Sequence, residues 1–242
     1  MILLLTSVKE TGKEIGMKER YIFIGIGAVI MLILSIIRRK EYDLPLWKAI
    51  VIPFIVAACG ALGAMLLYFV ESGGSFGGVS FYGGVILVPV LLYPFSKLLK
   101  MPYGKITDYI VPQGCIMLAS MKVSCLITGC CGGICLNPFT QMYFPSQLVE
   151  MIIALLIAVF IIYLDHLKLL KGRLCGAYLL LYGILRFVLN FLRDGLTPFV
   201  WIIPAGHFWS LISIAAGIAW FLLYKEKEPQ AQAIEDSATE NK

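Results

Sequence analysis

Stretches of roughly 18 or more apolar residues, each long enough to cross a hydrocarbon core of about 30 Å as a helix, recur along the whole chain. We read them as 21–37, 46–70, 79–98, 106–131, 146–165, 174–192 and 200–224. With 60% hydrophobic and only 14% charged residues in 242, the chain has more apolar surface than one soluble core of that length covers. The surplus must face lipid. The expected fold is all-α: a polytopic integral membrane protein of about seven transmembrane helices. The spans form one domain, 21–224, between a polar N-terminal segment, 1–20, and a tail, 225–242, whose composition reads as disordered. The first residues lack a basic n-region, so a cleaved signal peptide is not expected and the first span does the targeting.

Basic residues sort the loops into two sets. Arg38, Arg39 and Lys40, then Lys97, Lys100 and Lys105, then Lys168, Lys171 and Arg173, then Lys225 and Lys227 lie in alternate connections. Those at 71–78 and 132–145 have no basic residue, and the one near 193–200 has Arg193 alone. The positive-inside rule therefore puts the N-terminus outside and the C-terminus in the cytoplasm. Lys9, Lys13, Lys18 and Arg20 oppose this, but Glu10, Glu14 and Glu19 are interleaved with them and the later loops outvote them.

Ionisable groups inside spans are costly, so each is a functional candidate expected to face the bundle interior. Under this topology Lys122, Arg186, Asn190, Tyr82, Glu150 and His207 fall at one depth below the outer surface. Arg186, Asn190 and Arg193, four and three residues apart, share one helix face. At about 1.5 Å per residue Arg186 lies roughly 10 Å below the outer end of its helix. Each group alone is explained as well by ion pairing, snorkelling or helix packing. Together they describe a shared cationic cavity suited to a phosphate held by guanidinium forks, with an anionic phospholipid headgroup as the obvious occupant. Asp108 lies near the inner interface, and the inner halves of the spans are otherwise nearly all apolar.

Glycines crowd the same region: Gly73, Gly74, Gly77, Gly78, Gly83 and Gly84 around span three, and Gly129, Gly132 and Gly133 beyond span four. They suit close approach of a helix or a substrate, or ordinary loop packing. Cys125, Cys130, Cys131 and Cys135 do not have the spacing of paired metal knuckles. A disulfide outside the membrane and apolar packing both stay open, and no metal or cofactor is expected.

On these residues the chain resembles the prolipoprotein diacylglyceryl transferase family from about Ala58 to Trp220. Gly-Gly-Val-Ser-Phe-Tyr-Gly-Gly at 77–84 is similar to the family's Gly-Gly-hydrophobic-Ser-x-His-Gly-Gly, and Phe-Pro-Ser-Gln-Leu-Val-Glu at 144–150 to its His-Pro-x-Gln-Leu-Tyr-Glu. Between them, the run from Lys122 to Gly133 resembles Arg-x-Gly-(Asn/Cys)-x-x-x-Gly, including a Gly-Cys-Cys form. Tyr182-Gly-x-x-Arg186, continuing through Asn190 to Arg193, resembles Tyr-Gly-x-x-Arg-x-x-x-Glu-x-x-Arg. The resemblance implies transfer of the diacylglyceryl group of phosphatidylglycerol to the lipobox cysteine of a prolipoprotein in the bacterial cell membrane. The site would open to the outer leaflet. The implied partners are that phospholipid, the prolipoprotein signal peptide and membrane lipids, with no nucleic acid.

Such a reaction needs cations near the leaving phosphate and a base near the thiol. Arg186 and Lys122 are the expected catalytic cations, Tyr82 and His207 the remaining catalytic candidates, and Arg193, Asn190, Glu150, Gly83, Gly84 and Gly129 the substrate-binding set. The chain departs from the family at several of these positions: Tyr82 stands for histidine, Lys122 for arginine and Asn190 for glutamate. Ala61 stands for the arginine of a Gly-Arg-x-Gly segment, and Phe144 for the histidine before Pro145. A tyrosine, with an ordinary pKa near 10, is a poor base, whereas His207, at the apparent position of a family glutamine, has a suitable one. An active transferase leads, ahead of a catalytically weakened relative that binds phospholipid or a signal peptide. A transporter, which would need a polar path continuing to the inner side, comes last.

Overall fold

The computed structural model describes residues 22–128, 133–137, 142–193, 198–200 and 203–224. Within them seven helices follow one another: α1 (Ile22–Arg38), α2 (Leu46–Glu71), α3 (Phe81–Leu98), α4 (Tyr103–Thr128), α5 (Ser146–His166), α6 (Leu174–Asn190) and α7 (Ala205–Leu223). Five of these, α2 to α5 and α7, are long and apolar enough to cross a membrane, while α1 and α6 are shorter apolar helices. This is the architecture of a polytopic membrane protein. The polar segments 1–20 and 225–242 lie outside the described residues.

Two short antiparallel ladders interrupt the helices. β1 (Cys135–Asn137) pairs with β2 (Met142–Tyr143), and β3 (Pro198–Val200) with β4 (Ile203–Pro204). The second corrects the expected last span: residues 203–204 are strand, and α7 begins at Ala205. Pro204 has no N–H to give a helix and caps α7 in an extended conformation, φ −63° and ψ 148°. Similarly α3 begins after Ser80, whose backbone is extended, rather than at residue 79.

Helices pack as antiparallel neighbours, α2 on α3, α4 on α5 and α6 on α7, with α4 also touching α2, α3 and α6. Over its most apolar stretch α4 is 56% buried, against 28% for α2 and α5 and 17% for α7, and most residues of α6 are buried too, so α4 and α6 are the inner posts and α2, α5 and α7 the more lipid-facing staves. α2 and α3 meet backbone to backbone at Gly63 and Gly83: a Cβ on Gly63 would lie 2.5 Å from the Gly83 carbonyl oxygen, and one on Gly83 closer still to that of Gly63. No residue with a side chain fits either position without separating the helices.

One end of the bundle, with the connections 39–45, 99–102 and 167–173, is the basic end; the other carries both hairpins and is the hairpin end. At the basic end lies a network that the sequence reading missed. Asp165 on α5 pairs with Arg38 of α1 and accepts a hydrogen bond from the Tyr42 hydroxyl at 2.5 Å. Arg38 Nη1 donates to the Tyr109 carbonyl on α4 at 2.6 Å, and its guanidinium lies 5.2 Å and 5.7 Å from the Tyr42 and Tyr109 ring centres. The Tyr109 hydroxyl donates to the Ser35 carbonyl, and Ser35 Oγ to that of Ala49 on α2, each at 2.6 Å. α1 is thereby fastened to α2, α4 and α5. The Asp108 carboxylate accepts from the backbone N–H groups of Gly172 and Leu174, which closes the α5–α6 turn. Arg38 and Asp165, which read in the sequence as interfacial end residues, are both buried.

Candidate functional site

At the hairpin end, α4, α5 and α6 each contribute one charge to a common point. Lys122 is 6% exposed, Glu150 5% and Arg186 5%. The Lys122 ammonium donates to Glu150 Oε2 at 2.5 Å, and Arg186 Nη1 donates to Glu150 Oε1. One carboxylate thus holds two cations and leaves an excess of one positive charge in a low-dielectric setting. Arg186 Nε has no partner among the described residues, so a donor remains for another acceptor. Phe81 of α3 stands against Lys122, its ring centre 5.0 Å from Nζ, an arrangement worth about 1–2 kcal/mol when desolvated. Phe81 and Tyr82 both pack near the Tyr182 ring.

Below the ions a cleft between α4, α5 and α6 runs towards the middle of the bundle, walled by Leu118, Ile153, Ala154, Ile157, Tyr182 and Leu185. A charged head above an apolar slot is the shape of a lipid. The enclosed part has room for about one or two waters, so admitting an acyl chain requires these helices to part. Deeper still, Cys115, Ile161, Leu174 and Tyr178 form an apolar core between the two ends.

The other expected site residues fall in three places. Tyr82, Asn190 and the previously unremarked Ser210 meet where α3, α6 and α7 converge: the Tyr82 hydroxyl lies 2.8 Å from Ser210 Oγ and donates to the Gly206 carbonyl at 2.9 Å. Asn190 Nδ2 lies 3.3 Å from both hydroxyl oxygens. His207, 9% exposed, stands edge-on to Phe187 and Phe191 at 5.2 Å and 4.5 Å, and neither ring nitrogen has a partner among the described residues. It does not line the cleft. Arg193 follows the hairpin end of α6, where its backbone forms an isolated bridge with Gly133, and its Nε is without a partner among the described residues.

Gly133 is pressed between the Phe144 and Leu192 carbonyls, and Ile134 N–H donates to Leu192 O at 3.1 Å, so the first hairpin is stitched across the end of α6. Gly83 serves the α2–α3 contact, and a Cβ on Gly84 would make only ordinary contact with Gly60 O, at 3.7 Å. Gly129, Cys130, Cys131 and Gly132 lie outside the described residues. No disulfide links Cys125 or Cys135 to another described cysteine. Ala61 is exposed on the lipid side of α2. Ser210 carried no signal in the sequence, since a serine in an apolar run reads as packing.

The family model described as prolipoprotein diacylglyceryl transferase matches residues 20–223. The chain belongs to that family. A curated relative from Clostridium tetani, named phosphatidylglycerol–prolipoprotein diacylglyceryl transferase, is 26% identical over 157 residues, 60% of this chain and 63% of the relative. One of the same name from Coxiella burnetii is 28% identical over 167 residues, 63% of this chain and 64% of the relative. The chain thus spans less than two thirds of the length of either. A third, from Clostridium perfringens and numbered 2 in its name, is 22% identical over 229 residues, 84% of this chain and 90% of the relative. In this family member Lys122, Glu150 and Arg186, from three separate helices, meet in one ion cluster.

Proposed function

We propose that this protein transfers the diacylglyceryl group of phosphatidylglycerol to the lipobox cysteine of a prolipoprotein in a bacterial cell membrane. The observation that carries the reading is the buried Lys122–Glu150–Arg186 cluster, with its net positive charge and free guanidinium donor, above an apolar slot. The basic loops support seven spans with the N-terminus outside, the C-terminus in the cytoplasm and the site towards the outer leaflet.

In the reaction the thiol sulfur forms a bond to the glycerol carbon as that carbon's bond to the phosphate oxygen breaks. Glycerol phosphate leaves with the electron pair, and the thiol proton passes to a base. Arg186 and Lys122 hold the phosphate as negative charge develops on the leaving oxygen. Glu150 sets the spacing of the two cations, and Arg193 receives the headgroup at the mouth. Asn190 lies one turn from Arg186 on the same helix face. Gly83 and Gly84 keep α3 close to α2 beside the site. Gly129 completes the substrate-binding set. His207 is the candidate base for the thiol proton, a role that requires its ring to turn from Phe187 and Phe191 towards the cleft, and full activity of His207→Gln would remove it.

The test uses membranes lacking other transferases, supplied with phosphatidylglycerol and a lipobox peptide. Mass spectrometry is expected to find a diacylglyceryl adduct on the cysteine that Arg186→Ala eliminates. No adduct with folded protein and demonstrably bound peptide would instead make the chain a non-catalytic lipid- or lipoprotein-binding relative.

A further inference from the structure

Tyr82, Ser210 and Asn190 are 6%, 0% and 1% exposed, and the two hydroxyls and Asn190 Nδ2 close on one another, while Asn190 Oδ1 has no partner among the described residues. Ser210 Oγ donates to the Gly206 carbonyl at 2.7 Å, the same oxygen that the Tyr82 hydroxyl reaches. Both hydroxyl protons are thus engaged within the group, and the Asn190 amide faces the two oxygens with its Nδ2. A Cβ on Gly206 would lie 2.9–3.1 Å from the Asn190 amide atoms, so α7 also fits closely over this residue. The group consists of hydroxyls and an amide, with no carboxylate, ammonium or guanidinium in it. Three helices are therefore pinned by a neutral hydrogen-bonded knot one turn from Arg186.

We propose that Tyr82, Ser210 and Asn190 act as one positioning unit, which fixes the end of α6 so that Arg186 stays aligned with Glu150 and Lys122, and that Tyr82 itself takes no proton in the reaction. The inference rests on the proposed transferase reading. The energetic logic is that buried hydrogen bonds in a low dielectric are strong when complete and costly when one member is lost. Displacing a reacting group by about 1 Å can cost on the order of a hundredfold in rate. Tyr82 is poorly placed to be a base, because its phenol proton is directed at a backbone carbonyl and its oxygen already faces an amide donor.

The test compares Tyr82→Phe, Ser210→Ala and the double variant by kcat and KM for phosphatidylglycerol, by the pH profile of transfer, and by retention of phosphatidylglycerol in native mass spectrometry of the detergent-extracted protein. Each single change is expected to lower kcat/KM about 3- to 10-fold. The double is expected to be little worse than either, because both hydroxyls serve one unit, and the pH profile keeps its shape. Loss of one limb of that profile with Tyr82→Phe, while Ser210→Ala behaves as the unsubstituted protein, overturns the proposal in favour of a chemical role for the hydroxyl. Full activity of both singles overturns it as well. If Ser210→Ala does not fold, Asn190→Leu combined with Tyr82→Phe tests the same non-additivity. Should the unsubstituted protein transfer nothing, the transferase reading fails separately, and lipid retention decides: equal weakening in both singles and the double supports the unit, and additive weakening overturns it.

Discussion

The two ends of the bundle each bury an ion cluster, but only one of them is complete. At the basic end two cations, Arg38 and the more exposed Lys168, face two carboxylates, Asp165 and Glu41, and Tyr42, Tyr109, Ser35 and three backbone carbonyls take up further donors and acceptors of the network. Burial, and then the hydrogen bond to Asp165, push the Tyr42 phenol above its ordinary value, so it stays a proton donor. At the hairpin end two cations share one carboxylate, and Arg186 Nε is left over among the described residues. A closed network holds helices together; one with surplus charge and a spare donor is arranged to receive something. Burial alone does not separate the two, since Arg38 is 7% exposed and Arg186 5%.

The largest expected effect breaks the comparison at its functional side. Arg186→Ala is expected to lower transfer at least about 100-fold, the usual effect of removing a preorganised donor at a developing anion. Arg38→Ala should leave the turnover of the folded fraction near that of the unsubstituted protein, both measured by adduct formation per folded molecule. Loss of turnover with Arg38→Ala at full folding would show that the basic end also serves the chemistry. Next comes Asp165→Ala, which strands a buried guanidinium and is expected to cost about 3–5 kcal/mol in unfolding, read from tryptophan fluorescence in detergent. Arg38→Met with Asp165→Leu should recover most of that loss, because an apolar pair removes both desolvation penalties. The matching double change, Lys122→Met with Glu150→Leu, is expected to keep the fold yet lose retention of phosphatidylglycerol.

Gly83→Val should follow, at about 1–3 kcal/mol of overpacking between α2 and α3. The smallest effect is that of Tyr42→Phe, about 1 kcal/mol of stability for one hydroxyl, with transfer unchanged.

The sequence made the helices legible because lipid imposes a single strong pattern, a long apolar run. Depth along those runs also marked Lys122, Glu150 and Arg186, which do meet. What it hid follows from the same logic. Depth does not say which way an end residue faces, so Arg38 and Asp165 looked like interfacial charges although they are partners across α1 and α5. Strands of two or three residues, such as Ile203–Pro204, are too short to show a period. His207 shares the depth of the cluster, but the azimuth of its helix turns it onto Phe187 and Phe191.

The backbone contact between Gly63 and Gly83 also shapes how the chain tolerates change. In a library of all single substitutions, both positions would appear nearly closed, rejecting even alanine. Gly25 and Gly114, around which an added Cβ meets nothing within 4 Å, would accept it. Gly73 and Gly77 would form a third class: there is open space around them, but φ of +68° and +116° admits few L-residues, so they would reject most substitutions through backbone strain rather than collision. Glycines equally plain in the sequence would thus fall into three classes, closed to variation, open to it, or open only in space, and the α2–α3 seam would mark itself as the least variable line between two lipid-facing helices.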